Sequence, residues 1–293
     1  MIKSILVPLA GMTSDNSALA AAHAAAVLFD AHVDGLHVRS DPVKVALQST
    51  GYDMGAGVNT LTPELIATLK EGIESTAAAA RRNFEDFCAR TAVVKAREPA
   101  AANAPSAGYE EVEADSPLAE VVAHARTHEL TVCGRTEEFT GLGVGGVGDI
   151  LVRSGRPVLI AADTAPRTFS RNVAIAWKDT AEAGRALTAA LPFLAKAQRV
   201  AIITAAEDGD QNAAAASAGG VAATLKWHGM TPEVRCIAPG RSAFDSVMEA
   251  AHAFGADLLV MGGYGHSRAR EFVFGGFTRR VLGNAPLPVL MAH

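Results

Sequence analysis

The strongest constraint on the fold is that the chain is written twice. Each half opens on a short apolar run, Ile5-Leu6-Val7-Pro8 and Val173-Ala174-Ile175-Ala176. Each closes on another, Pro157-Val158-Leu159-Ile160-Ala161 and Pro288-Val289-Leu290-Met291-Ala292. Ahead of each closing run stands one that ends on glycine, Thr131-Val132-Cys133-Gly134 and Leu259-Val260-Met261-Gly262. A repeat of this kind means both halves answer to one set of packing rules. The closing prolines, Pro157 and Pro288, are spaced more closely than the opening Val7 and Ile175, so the first half carries an insertion, placed between Ser40 and Ala80. Two domains are expected, 1–165 and 168–293, joined through the polar stretch around Pro166. The 293 residues agree with that number at roughly 100–200 residues per domain.

Helical patterns alternate with these strands. Ala183, Ala186, Leu187, Ala190, Leu191 and Leu194 recur at three- and four-residue steps and form one apolar stripe. Ser242, with Asp245 three positions on, opens a second helix that buries Phe244, Val247, Met248 and Ala251 and stops at Gly255. Ser116-Pro117 opens its counterpart, with Leu118, Val121, Val122 and Ala125 inward. Inside the insertion, Thr62-Pro63-Glu64 has the form of a helix start. Strands alternating with helices imply βαβ units, a parallel sheet covered on both faces and right-handed crossovers. Composition agrees: 49% of residues are hydrophobic but only 5% aromatic, which suits small side chains between helix and sheet better than a β-sandwich.

Several function classes fall away. Lys and Arg number 26 against 31 Asp and Glu, a net charge of −5, so no basic field points to nucleic acid. Cys88, Cys133 and Cys236 are scattered, without a CxxC, which argues against a disulfide framework or a thiolate zinc site. Residues 1–10 lack the form of a secretory signal, and the Ala-rich runs break well before the ~20 apolar residues of a membrane span. A soluble, cytoplasmic protein with no membrane partner is expected. No P-loop and no nucleophile elbow occurs. Gly141-x-Gly143-x-x-Gly146 imitates a dinucleotide fingerprint but stands too far from the strand ending at Cys133, and reads as a loop. His124 and His128 could share a helix face as a metal pair, but no third ligand stands nearby and no metal is expected.

The most informative segment is Met261-Gly262-Gly263-Tyr264-Gly265-His266-Ser267-Arg268, followed by Gly275-Gly276-Phe277-Thr278-Arg279-Arg280. A buried strand runs into a glycine-dense turn, where backbone amides can approach a ligand closely. Gly275-Gly276 then opens a helix whose free N–H groups and positive dipole end suit a phosphate. His266, Ser267, Arg268 and Thr278 add side-chain donors, and the pair Arg279-Arg280 reads as solvated surface or as steering an anion there. A tight βα turn needing glycine only for its shape explains the same residues.

The pattern Gly262-x2-Gly265-x9-Gly275, after an apolar strand and before a closing Pro-Val-Leu strand, resembles the universal stress protein family. The resemblance covers the whole chain as two tandem domains. It implies an α/β fold of two open-twisted parallel five-stranded sheets, Rossmann-like, with helices on both faces. It further implies domains paired inside the chain as a pseudo-dimer, with a homodimer of chains also open. For the second domain it implies adenine-nucleotide binding, ATP or a relative with or without Mg²⁺, at Ala176, Trp177, Lys178, Met261, Gly262, Gly265, His266, Arg268, Gly275, Gly276, Phe277 and Thr278. A regulatory or protective role in stress, with a regulatory protein partner and at most slow ATP hydrolysis, completes the expectation.

Three departures stand out. Gly276 replaces the Ser or Thr of nucleotide-binding members, and Lys178 stands where they carry an Asp. Lys178 either meets phosphate or is a solvated loop charge; Trp177 lies beside adenine or packs on the adjacent helix. In the first half Gly134-Arg135-Thr136-Glu137 puts a carboxylate in the second glycine's place, and Ala10 takes the Asp position. A carboxylate aimed at phosphate repels it, so the first domain is expected to be a degenerate site. A nucleotide-free interaction or small-ligand-binding scaffold of the same fold is the alternative reading of the whole.

Overall fold

The computed structural model describes residues 1–49, 62–98, 104–135, 146–163, 168–205, 210–238, 242–263 and 276–293. In the first half the strands are β1 (Ser4–Pro8), β2 (His32–Ser40), β3 (Val94–Lys95), β4 (Ser106–Ala114), β5 (Leu130–Cys133) and β6 (Val158–Ile160). Its helices are α1 (Ser14–Phe29), α2 (Pro42–Ser49), α3 (Pro63–Thr91), α4 (Pro117–Thr127) and α5 (Gly146–Ser154). The second half has β7 (Asn172–Trp177), β8 (Arg199–Ala205), β9 (Glu233–Ile237), β10 (Leu258–Gly262) and β11 (Val289–Ala292). Between them run α6 (Ala181–Leu194), α7 (Gln211–Trp227), α8 (Ala243–Phe254) and α9 (Gly276–Asn284).

The strand order is β3-β4-β2-β1-β5-β6-β11-β10-β7-β8-β9. Without β3, each half has its first strand in the middle and its last strand innermost, and within each half all pairs are parallel. The α/β class with helices on both faces is as the sequence indicates. The sheet count is not: in place of two five-stranded sheets there is one of eleven strands. β6 and β11 pair antiparallel, with Val158 opposite Met291, Leu159 opposite Leu290 and Ile160 opposite Val289. Both strands are apolar and buried, so a bare edge on either would leave backbone amides and carbonyls unsatisfied. β3 adds two residues at the outer edge, Val94 beside Ser106 and Lys95 beside Ala107.

The helices start where side chains supply the missing acceptors. Thr62 accepts from the Leu65 amide (3.2 Å), Thr180 from Ala183 (3.3 Å) and Ser242 from Asp245 (3.4 Å). Gly255 ends α8 in the left-handed region at φ 74°, which glycine adopts without strain. A further device recurs in both halves. Glu129, just before β5, accepts from the amides of Lys3 and Ser4 at the start of β1 (3.1 and 2.7 Å). Asp257, just before β10, does the same for Arg171 and Asn172 at the start of β7 (3.2 and 3.0 Å).

Each face of the sheet carries one core that runs through both halves. One holds apolar residues of α1, α3, α6 and α7, the other those of α4, α5, α8 and α9. On the first face Phe29 of α1 meets Phe193 of α6 edge to face, with ring centres 4.9 Å apart. Phe193 is fully buried and also touches Phe169. Phe193→Ala is therefore expected to cost ~3–5 kcal/mol and to weaken both halves together. Urea unfolding followed by Trp177 fluorescence should coincide with amide exchange in β1; separate transitions would show independent halves.

Candidate functional site

In an open α/β sheet the ligand edge lies beyond the carboxyl ends of the strands. In the second half Ala176 of β7 and Met261 of β10 are register partners at that edge. α9 carries the chain from the end of β10 back to the start of β11, which puts its N-terminus on the same edge. Gly265, His266, Arg268 and Gly275 lie outside the described residues, so the centre of the expected phosphate turn is seen only from its flanks.

Those flanks differ from residue to residue. Lys178 is exposed on the turn after β7. Ala176 is half-buried on the α8–α9 face, and Met261 is buried in the core of that face. Trp177 turns to the opposite face, where its indole N–H donates to the Ser217 hydroxyl of α7 (2.9 Å) and its ring packs on the core. Of its two readings, the geometry displays the helix contact. Phe277 packs edge to face on Phe244 of α8, ring centres 6.1 Å apart, and Thr278 is buried. Arg280 does not reach toward an anion at the helix start. It grips Asp245 with both terminal nitrogens (2.7 and 3.1 Å), donates to Ser242 and lies 4.5 Å from the Phe244 ring centre. This ties α9 to the N-terminus of α8, and the guanidinium holds the Asp245 carboxyl below its ordinary range.

The role expected of Gly262 also changes. A Cβ there would stand 2.6 Å from the Ala183 amide nitrogen and 2.7 Å from the Glu182 carbonyl carbon. The close approach that this glycine admits is that of the first turn of α6. Gly134 does the same work in the first half, where a Cβ would stand 2.3 Å from the Ser14 carbonyl oxygen at the start of α1. Gly263 instead faces across the join, its absent Cβ direction filled by Leu151 of α5 and Met291 of β11.

On the first half's corresponding edge, the turn after β1 is covered by the chain's own α3. The turn after β1 brings Gly11, at φ 73°, under α3, where a Cβ would stand 2.4 Å from the Thr76 carbonyl oxygen. Asp15 is buried there and accepts from the amides of Ala10 (3.0 Å) and Gly11 (2.9 Å) and from Asn83 of α3 (3.1 Å). Burial raises the Asp15 carboxyl above its ordinary range, against the opposing pull of those hydrogen bonds. His37 donates to the Leu9 carbonyl (2.8 Å). Arg135, after β5, donates to the Ala285 carbonyl at the end of α9 and so bridges the halves. Sequence reasoning missed Asp15, Thr76 and Asn83: the only signal was a glycine at position 11 and an insertion of unassigned destination. The glycines at 141 and 143 and the carboxylate Glu137 lie outside the described residues. Among the described residues, no group of three or more His, Cys, Asp or Glu is arranged to hold a metal, and no helix is long and apolar enough to cross a membrane.

Residues 170–293 match the family model of the universal stress proteins. The second half of the chain is thus similar to the universal stress proteins. Solved structures extend the likeness in fold to nearly the whole length. A universal stress protein from Archaeoglobus fulgidus superposes with a TM-score of 0.66 at 15% identity, covering 99% of this chain and 97% of that one. A putative universal stress protein from Pseudomonas aeruginosa gives 0.58 at 16% identity, covering 99% and 93%. No curated protein matches the chain in sequence.

Gly262→Ala is expected to destabilise the second half by ~1–3 kcal/mol with no ligand present, because a helix backbone must move. Thermal unfolding of the ligand-free protein checks this; an unchanged midpoint would mean that α6 does not rest on that glycine.

Proposed function

We propose that the second half binds an adenine nucleotide, ATP or a relative with or without Mg²⁺, and serves a regulatory or protective role in stress, without efficient catalysis. One observation supports this above the rest. The glycine series Gly262, Gly265, Gly275 falls between the end of β10 and the start of α9, in the half that matches the family, while in the first half the turn after β1 is covered by α3. Amides of the turn and of the α9 N-terminus are the groups that would meet phosphate, with Lys178 at the rim and the base near Ala176. On this reading 1–165 and 168–293 are two domains paired within the chain, the first kept for packing, and any further homodimer or regulatory partner is met by the pair.

A second reading is a scaffold of the same fold that holds no nucleotide. Trp177 bonded to Ser217, Thr278 buried and Gly276 without a hydroxyl favour it. Calorimetric titration with ATP, with and without Mg²⁺, separates the two. Micromolar binding is expected for the intact chain. Gly265→Glu should weaken it by ~100-fold or more, since a like charge set against phosphate costs several kcal/mol. No binding by the intact chain would support the scaffold.

A further inference from the structure

Away from the ligand edge, two histidines hold one aspartate. His32 Nε2 meets Asp34 Oδ1 at 3.1 Å, and His128 Nε2 meets Asp34 Oδ2 at 3.1 Å. The cluster lies where β2 begins, beneath the last turn of α4. The two rings are not in the same state. The second nitrogen of His32 faces the Ser106 hydroxyl (2.7 Å), which can donate to it, so one ring proton satisfies that histidine. The second nitrogen of His128 faces the His124 main-chain carbonyl at 2.8 Å. A carbonyl only accepts, and an ionised carboxylate only accepts, so each His128 nitrogen needs its own proton. Thr127 offers no escape: its hydroxyl stands 3.4 Å from that nitrogen and is already donated to the His124 carbonyl at 2.9 Å.

We propose that His128 is a standing imidazolium that latches the last turn of α4 to β2 and lets go when the ring loses a proton. Its place favours the charge, since a cation beside the carbonyls of a helix C-terminus opposes the negative end of the dipole. Its side chain is 12% exposed, so neither contact is readily replaced by water. Burial pushes the His128 ring down, but the Asp34 hydrogen bond and the His124 carbonyl prevail and its pKa is raised. Burial likewise pushes Asp34 up, but the bonds and charges of His128 and His32 hold it well below the usual carboxylate range. The neighbouring charges are accounted for element by element. On α4, His124 pairs with Glu120 (3.3 Å), and Arg126 donates to the Arg153 carbonyl at the end of α5. Glu129 is turned to the amides of Lys3 and Ser4, with the Arg156 charge near it, and Lys3 Nζ donates to the Phe29 and Asp30 carbonyls.

The sign follows from linkage. A histidine raised above its free value of about 6.5 contributes stability that is complete below that pH and lost as the pH climbs through the raised value. Between the two, local opening of the α4 turn should grow by up to about tenfold per pH unit and then level off. Nitrogen-15 spectra of the wild-type imidazoles at pH 6.5, where a free ring is about half neutral, should show both His128 nitrogens predominantly protonated. Amide exchange at 125–128, corrected for its intrinsic pH dependence, should accelerate above pH 6.5 relative to the last turn of α6, which carries no titratable side chain. His128→Gln and Asp34→Asn should each flatten that profile. A His128 ring that is half or more neutral at pH 6.5, or a wild-type α4 profile that follows α6, would overturn the proposal. Should both variants fail to fold, the wild-type spectra and exchange decide alone.

Discussion

The antiparallel pairing of β6 with β11 is the contact on which the rest of the molecule depends. Three residue pairs, all apolar and buried, turn two half-sheets into one surface. Helices of both halves then share a core on each side of it, so Phe29 and Phe193 meet although they belong to different repeats. The pairing also explains why the innermost strands can be so short. Their hydrogen-bonding groups are satisfied from both sides, and neither strand needs length to survive as an edge.

Within each half a second constraint acts at the strand before last. Gly134 and Gly262 let the first turn of α1 or α6 lie directly on the strand end, closer than any side chain permits. Glu129 and Asp257 secure the opposite end of the same strand to the start of the first one. The repeated glycine therefore has a reason for being there that needs no ligand. What distinguishes the second half is that Gly263 and Gly265 follow Gly262 at once, where Arg135 and Glu137 follow Gly134.

Much of this was legible in the sequence, and the residues show why. Strand pairs closing on Pro-Val-Leu, stripes at helical spacing and caps at Thr62 and Ser242 are local signals, and local physics fixed the elements they announce. The fused sheet was not legible, because edge pairing between β6 and β11 depends on the three-dimensional return of both chains. Nor was the cover over the turn after β1. Gly11 gives no hint in one dimension that Thr76 and Asn83 will settle over it. Nor were the partners of Trp177 and Arg280, for a related reason: each has a near neighbour, Ser217 or Asp245, that is distant along the chain.

The turn of the chain at the join has one more result. Because β6 and β11 run in opposite directions, the rim where the first half's strands finish adjoins the place where the second half's begin, as Arg135 reaching Ala285 shows. The two rims consequently look away from each other. A molecule seated on one rim would neither crowd nor touch a molecule on the other.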